Sequence, residues 1–326
     1  MIITQIIRRI GQMIIVLFVL STITFILMKL TPGDPVNKIL HLDVANVSAS
    51  QVSETKEKLG LNEPIIVQYG QWLNQIVHLN FGTSYQTGES VSKELLYYTP
   101  PTLLIALATM VTVLLISIPL GTVAARYYHT WIDMLIRMMT SITVSIPSFF
   151  LGTLLIYICA QQLAILPSSG IATPAGYILP VVSLSIGMSA YYIRLMRSNL
   201  LELYRTQEVQ ASRLRGMSES YIYWKDIFKP ALLPIITIMG MSVGSLIGGT
   251  VVIENLFGIP GVGRFLVDSI RARDYPVIQG VVLMIGCCVI FANTVSDLLL
   301  LWLDPKRRSV KHKVTKVEDR LDGGPL

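Results

Sequence analysis

Long uncharged runs constrain this chain more than any other feature of its sequence. The longest covers residues 138–193 without one Asp, Glu, Lys or Arg, and residues 10–28 and 95–125 are likewise uncharged. A helix needs about 20 predominantly apolar residues to cross a bilayer, so the longest run has room for two helices. The predicted spans lie at residues 10–28, 95–125, two within 138–193, 230–253 and 275–303. The sequence therefore predicts an all-α integral membrane fold with six transmembrane helices.

The composition argues against the common soluble classes. Only 14% of the 326 residues are charged, whereas soluble domains average about 25%. A soluble enzyme, a disordered tail and a nucleic-acid binder all fit this composition poorly. The four histidines are scattered and the three cysteines lie in apolar runs, so we expect no metal site and no disulfide scaffold. The sequence also offers no grouping of nucleophile, base or metal ligand that would predict catalysis.

Lysine and arginine are sorted between the two sides of the membrane. With the N terminus in the cytoplasm, 18 of the 26 basic residues fall on the inner side, while nine acidic residues fall inside and ten outside. Basic residues are typical of cytoplasmic loops. The sequence thus predicts a multi-pass cell-membrane protein with both termini in the cytoplasm, and the net charge of +6 reflects topology rather than nucleic-acid binding.

The spans divide the chain into four predicted regions. These are a first helix at 1–30, an extracytoplasmic loop at 31–97, a transmembrane core at 98–305 and a basic cytoplasmic tail at 306–326. In the outer loop, Gly60 is expected to end one helix, and Asn62 to cap another with Pro64 in its first turn. The second helix carries an apolar stripe of Tyr69, Trp72, Leu73 and Ile76. We expect the stripe to pack on the spans, with docking of an external partner as the alternative.

The core contains a long inner loop at 194–229, with seven basic and four acidic residues. The pattern predicts a helix from Leu200 to Leu214 that Gly216 ends. A second helix, capped by Ser218, is expected to stop at Pro230. One interpretation is a solvated connector. The other is a protruding handle for a cytoplasmic partner, since the loop is long for a mere connection.

The chain shows no energy source of its own. It has no GxxxxGK[ST] phosphate loop, and Asp297 alone is an ionisable residue within the predicted spans. Ion-coupled carriers usually place several such groups in the membrane interior. Any nucleotide hydrolysis that drives transport would then occur on another subunit. The alternative is an ion-coupled carrier or channel that acts without an ATPase, with Asp297 essential.

Three glycines follow one another at four-residue spacing in the fifth predicted span, namely Gly240, Gly244 and Gly248. Small residues on one face of a helix let two backbones approach closely. The repeat is compatible with helix packing inside the chain, with contact to a second subunit, and with the wall of a transport pathway.

Six segments of the sequence carry a resemblance to a known family. They are TPGDP at 31–35, FGTSY at 81–85, SIPSF at 145–149, LPSSG at 166–170, GGTVVIENLFGIPGVGR at 248–264 and RDYPVIQ at 273–279. In these segments, and over nearly its whole length, the chain resembles the membrane permease subunits of bacterial ABC importers of the dipeptide, oligopeptide and nickel family. The resemblance implies the type I ABC importer permease fold.

The same resemblance implies a division of labour between subunits. An extracytoplasmic solute-binding protein delivers the substrate, and two homologous permeases form the path. Two cytoplasmic ATPase subunits bind ATP, so that this chain holds no cofactor. The inner loop is similar to the segment through which such permeases contact the ATPases, with Gln210 and Ser212 replacing a Glu and an Ala. The residues implied in this coupling are Glu208, Gln210, Ala211, Ser212, Arg213, Arg215 and Gly216.

The resemblance leaves two substrate classes open: di- or oligopeptides, and nickel or a nickel chelate. The segments at 212–216 and 244–249 look more like nickel permeases than dipeptide permeases.

Overall fold

A computed structural model gives the structure of residues 2–30, 36, 48–58 and 60–303, with side chains in these ranges from residue 11 to residue 300. The α-helices are α1 (Ile2–Leu30), α2 (Ala49–Lys58), α3 (Ile65–Val77), α4 (Val91–Arg126), α5 (Trp131–Ser145), α6 (Ser148–Leu155), α7 (Ile178–Tyr204), α8 (Gln207–Leu214), α9 (Glu219–Tyr221), α10 (Lys229–Leu256), α11 (Val262–Ala272) and α12 (Tyr275–Leu303). The same ranges also hold two π-helical segments, Ile156–Gln162 and Ile222–Phe228, and a 3₁₀ turn at Pro174–Tyr177. The predicted all-α fold is confirmed. The predicted tail at 306–326 and the TPGDP segment at 31–35 lie outside the described residues.

Five helical stretches of the described chain are long and apolar enough to cross a membrane. They are Gly11–Leu30, Val91–Arg126, Pro174–Tyr204, Glu219–Leu256 and Tyr275–Leu300. A sixth span results when α5 and the stretch Ser148–Gln162 are counted together. The described residues therefore hold five or six spans, in agreement with the prediction.

The third predicted span is sharply bent. α5 and the stretch Ser148–Gln162 meet at an angle of 97°, and α5 already begins at Trp131, ahead of the uncharged run. Pro147 explains the break, because the residue before a proline is pushed out of the helical region of backbone conformation. Ile146 accordingly has φ −96° and ψ 121°. The sequence analysis did not predict this bend in the SIPSF segment.

The chain divides into two compact units. The first comprises the described residues of 1–106, 164–177 and 247–290, and the second those of 107–163, 178–246 and 291–326. The core of the first unit is built from Val91, Leu95, Val262, Val277 and Val281. The core of the second unit is built from Val113, Ala125, Tyr192, Met196, Leu200, Val209, Ile222, Ile227, Ala231, Ile235 and Met239.

In the first unit, α3 packs on α1 through aromatic side chains. The ring of Phe25 lies 5.1 Å from that of Tyr69 and 5.9 Å from that of Trp72 between centroids. Two members of the predicted apolar stripe thus pack on a span, as expected. The cap was wrongly predicted, because α3 begins after Pro64, whose extended backbone (φ −54°, ψ 144°) makes it the N-cap in place of Asn62.

In the second unit, the inner loop differs from the prediction at two points. α7 ends at Tyr204 and α8 begins at Gln207, because Thr206 is extended (φ −69°, ψ 150°) and interrupts the expected helix. Ser218 does cap the next helix, since its hydroxyl accepts a hydrogen bond from the Tyr221 N–H at 3.3 Å. That helix does not stop at Pro230 but continues through the π-helical segment into α10. Pro230 is the second residue of α10, where the change of hydrogen-bond register tolerates a missing N–H.

Candidate functional site

The predicted coupling residues lie on and just after α8, in the second unit. α8 turns one face inward, where Val209 is fully buried and belongs to the core together with Ile222 and Ile227. Ser212, also buried, donates a hydrogen bond to Asp226 Oδ2 at 2.8 Å. α8 is therefore fixed to the π-helical segment that leads into α10.

Gly216 ends this helix as the sequence predicted. Its φ of +75° lies in the left-handed region that glycine adopts without strain. The Gly216 N–H donates to the Arg213 carbonyl at 2.9 Å, and the Met217 N–H donates to the Ser212 carbonyl at 3.2 Å. This pair of bonds is the Schellman arrangement, which closes the last turn of a helix and reverses the chain.

The outer face of α8 is solvent-accessible. The exposed residues include Glu208, Gln210, Ala211, Arg213 and Arg215. Arg213 forms a two-pronged ion pair with Glu219, with N···O distances of 2.7 and 3.1 Å, and Leu214 is 90% exposed. An exposed leucine at the tip of a short helix, beside a paired arginine, forms a surface that a protein partner could cover.

Ser212 is buried, whereas the other predicted coupling residues are exposed. Its hydroxyl also accepts a hydrogen bond from Arg215 Nη2 at 3.1 Å. Packing against Asp226 explains why the side chain at this position is small. The sequence alone did not indicate Asp226, which completes this cluster.

The three glycines of α10 have different surroundings. A methyl group added at Gly240 would overlap the side chain of Ser296 in the second unit, whereas one at Gly248 would meet nothing within 4 Å. Gly244 is half-buried. Gly240 therefore serves close packing inside the chain, while Gly248, in the first unit, is open to a neighbour or to a pathway.

A second polar cluster, in the first unit, centres on Glu254 near the end of α10. Its carboxyl group is completely buried. Oε1 accepts a hydrogen bond from the Thr102 hydroxyl at 2.6 Å, and Oε2 accepts one from the Arg264 N–H at 2.9 Å. The Thr102 oxygen in turn accepts the Val262 N–H at 2.8 Å. Glu254 and Thr102 therefore cap the N-terminus of α11, whose first N–H groups have no partner inside the helix.

Two glycines let this cap form. Side-chain carbons at Gly261 or Gly263 would overlap the Glu254 carboxyl group, and one at Gly263 would also come within 2.6 Å of the Val251 backbone. Steric exclusion thus explains the last two glycines of the GIPGVG sequence in the longest family segment. Sequence reasoning missed Glu254 itself, because the predicted fifth span ended one residue before it.

Asp274 joins two further family segments in the first unit. Its buried carboxylate accepts hydrogen bonds from the Ser84 hydroxyl at 2.5 Å and from the Gln86 N–H at 3.2 Å. FGTSY and RDYPVIQ are therefore parts of one structure, although they lie far apart in the sequence. Burial, the carboxylate of Asp274 and the neighbouring Tyr275 raise the pKa of Tyr85 to about 12.

The LPSSG segment meets the turn that follows α10. The Gly170 N–H donates to the Phe257 carbonyl at 2.8 Å, and both residues belong to the first unit. Four of the six family segments are thus joined around α11 and the adjoining helix ends, in two pairs. Among the described residues, no three His, Cys, Asp or Glu side chains lie close enough together to hold a metal ion.

Comparison with known proteins agrees with this architecture. Residues 117–309 match the family described as binding-protein-dependent transport system inner membrane component, and residues 2–108 match the N-terminal region of such membrane components. The nickel import system permease protein NikB of Staphylococcus aureus strain USA300 is 55% identical over 307 residues, which are 94% of this chain and 92% of that protein. NikB of the bovine strain RF122 has the same identity over the same length.

Solved structures show the same fold at low sequence identity. Two crystal forms of the MetNI methionine ABC transporter in inward-facing conformations match with TM-scores of 0.54 and 0.53 and identities of 19% and 18%. The matches cover 64% and 65% of this chain and 96% of the transporter chain.

The fold is that of an all-helical, multi-pass membrane permease. The chain belongs to the family of inner membrane components of binding-protein-dependent transport systems, and its function is that of a permease subunit of an ABC importer.

Proposed function

We propose that this chain is the permease of a nickel importer and forms the path for nickel, or for a nickel chelate, across the cytoplasmic membrane. The identity of 55% to the NikB nickel permease, over 94% of the chain, carries this proposal. The similarity extends over the spans and the inner loop alike, so it favours nickel over the peptides that the sequence also left open. Nickel is the transported substrate here and not a resident cofactor.

The proposed assembly contains four other proteins or copies. A solute-binding protein delivers nickel to the outer face, a second homologous permease completes the path, and two ATPase subunits bind ATP in the cytoplasm. The family description, which names dependence on a binding protein, supports the first of these. The proposed orientation has both termini in the cytoplasm, which also places α8 on the ATPase side.

In this assembly α8 transmits the movement of the ATPases to the membrane spans. Val209 and Ser212 attach α8 to the segment that continues into α10, while Leu214 and the Arg213–Glu219 pair face outward. Closure of the ATPases on ATP would then move α10 through a rigid contact. Two packings of the spans, biased by ATP through this contact, suffice for alternating access.

Reconstitution tests the substrate. Proteoliposomes that contain the chain, its second permease and the ATPases are supplied with the binding protein, ATP and either radioactive nickel or a labelled dipeptide. We expect ATP-dependent uptake of nickel and none of the dipeptide. Uptake of the dipeptide without nickel would refute the nickel proposal and leave the permease function standing.

A second arm tests the need for the other subunits. The chain reconstituted alone, with an ion gradient but no ATPase, should not accumulate nickel. Accumulation that depends on the gradient and is lost in Asp297→Asn would instead support the ion-coupled carrier.

A further inference from the structure

A polar groove in the second unit has no part in the proposed coupling. It lies between the start of α5 and the end of α7 and has a volume of about 480 Å³. Its lining includes Tyr128, Arg137, Arg197, Glu202 and Arg205. Three arginines in one groove at the ends of membrane helices call for an anionic partner.

One carboxylate of the groove is already neutralised. Asp133, only 1% exposed, receives hydrogen bonds from Arg197 Nε at 2.6 Å and Arg197 Nη2 at 2.7 Å, and a third from the His129 N–H at 3.3 Å. The Arg197 guanidinium also stacks over the ring of Tyr128, 5.2 Å from its centroid. Arg197 and Asp133 therefore form a rigid, electrically balanced floor.

The rim of the groove keeps the remaining charge. The side chain of Arg137 is 55% exposed and forms only a loose ion pair with Asp133, at 3.8 Å and without a hydrogen bond. Arg205 forms no ion pair with any residue that the structure describes. Glu202 is the one carboxylate of the lining that no arginine of the described chain pairs with, so two guanidinium groups face one negative charge.

The surroundings of the groove place it at the level of lipid headgroups. Tyr127, Tyr128 and Trp131 are 42%, 37% and 73% exposed at the junction of α4 and α5, and such aromatic residues concentrate at the membrane–water interface. On α5, the exposed apolar residues Met134 and Val144 lie three positions before and seven positions after Arg137, and so share its side of the helix. A ligand that is anionic at one end and apolar at the other fits both surfaces.

We propose that this groove binds a phosphate group, and specifically the headgroup phosphate of an anionic phospholipid. Arg137 and Arg205 contact the phosphate over the Asp133–Arg197 floor, and an acyl chain lies along the exposed apolar face of α5. Basic pockets between transmembrane helices are suited to such headgroups. This inference needs the membrane fold alone and is independent of nickel as the substrate.

The purified full-length chain in detergent tests the proposal by native mass spectrometry. The chain is titrated with phosphatidylglycerol, with phosphatidylcholine and with inorganic phosphate, and the affinity of each is compared. The test variant is Arg137→Gln/Arg205→Gln, and the matched control is Arg264→Gln/Arg271→Gln on α11. An unchanged thermal midpoint shows that each variant folds. We expect this result because the substituted side chains are exposed.

Phosphatidylglycerol should bind more tightly than phosphatidylcholine, and the Arg137→Gln/Arg205→Gln variant should weaken it by roughly 30-fold, from the usual contribution of two arginines near an anionic surface. The control variant should leave its affinity unchanged. Glu202→Gln should tighten binding, since it removes the opposing charge.

Other outcomes show whether the bound phosphate comes from a lipid or from solution, or contradict the proposed site. Displacement of the lipid by millimolar inorganic phosphate, or binding of phosphate alone, would support the phosphate site and assign it to a soluble anion. Equal binding of both lipids, or lipid binding that the arginine variant leaves intact, would overturn it. Loss of ATPase association in that variant with normal lipid binding would also overturn it and assign the groove to a protein contact.

Discussion

The Glu254 cluster and the α8 segment both use a carboxylate-bearing residue to organise a helix end, but they differ in their exposure to water. Glu254 is completely buried and is held by hydrogen bonds from Thr102 and the start of α11. Glu219, beside α8, pairs with Arg213 at side-chain exposures of 68% and 43%. A buried polar group destabilises a protein unless its hydrogen bonds are complete, whereas an exposed ion pair contributes little.

This difference separates two tasks. The Glu254 cluster fixes the turn between α10 and α11 in one geometry, because any movement would leave buried donors without partners. The α8 segment has a fixed inner face and a solvent-exposed outer face, so its outer residues can change partner at little cost in stability. Substitutions in the first cluster should therefore destabilise the chain strongly, and those on the outer face of α8 should leave its stability nearly unchanged.

The largest expected effect is that of Glu254→Ala. It leaves the Thr102 hydroxyl and the Arg264 N–H without their acceptor, so we expect a loss of about 3–5 kcal/mol in the free energy of unfolding. Thermal unfolding of the purified chain in detergent measures it. The matched control is Asn255→Ala, the exposed neighbour whose side chain only bonds the Val251 carbonyl. Equal stability of the two variants would show that the cap does not hold α11.

The glycines of α10 extend the comparison to packing. Gly240→Ala forces a methyl group onto Ser296, and overpacking of this kind destabilises by about 1–3 kcal/mol. Gly248→Ala meets no atom within 4 Å and should be neutral or stabilising in the isolated chain, since alanine favours the helix by roughly 1 kcal/mol. Thermal midpoints of both variants check this contrast.

Gly248→Ala also separates the two remaining explanations for its open surroundings. Weaker co-purification with the second permease would indicate a subunit contact, whereas intact assembly with slower uptake would indicate the pathway wall. Destabilisation of the isolated chain by both alanine substitutions would contradict the distinction drawn between the two glycines.

The Asp274 cluster predicts a pH dependence at the alkaline end. Tyr85 has a folded pKa of about 12 against an ordinary value of 10.0, so its neutral form is favoured by folding. The stability is fully present below pH 10 and is lost as the pH rises toward 12, by about 1.4 kcal/mol at pH 11. Thermal midpoints between pH 9 and 12, compared with Tyr85→Phe, measure this loss. An identical pH profile in the phenylalanine variant would exclude Tyr85 as its source.

The sequence predicted the parts of the fold that depend on local chemistry. Uncharged runs located the spans, and Gly60 and Gly216 ended their helices because a left-handed residue is needed there. Long-range contacts were not accessible in this way. Glu254 bonds Thr102 across 152 positions, and it lies just beyond the predicted end of a span.

The bend at Pro147 and the burial of Ser212 were missed for related reasons. Proline is tolerated at several positions of membrane helices, so the SIPSF segment did not by itself distinguish a kink from the 97° break. Ser212 occupies a position that the family resemblance assigned to coupling, and only its contact with Asp226 reveals the packing role.

The smallest effect on the chain itself, and the sharpest test of the two tasks, is expected from Leu214→Ala. Leu214 is 90% exposed, so the free energy of unfolding should change by no more than about 0.5 kcal/mol. If α8 is the ATPase contact, an exposed leucine at its tip lies in the interface, and its truncation should weaken ATPase binding by about tenfold. ATPase co-purification and ATP-driven uptake measure this loss. The control is Val209→Ala, on the buried face, which should instead lower the thermal midpoint. If Leu214→Ala also lowered the thermal midpoint and left ATPase binding intact, α8 would be a structural element and not a coupling surface.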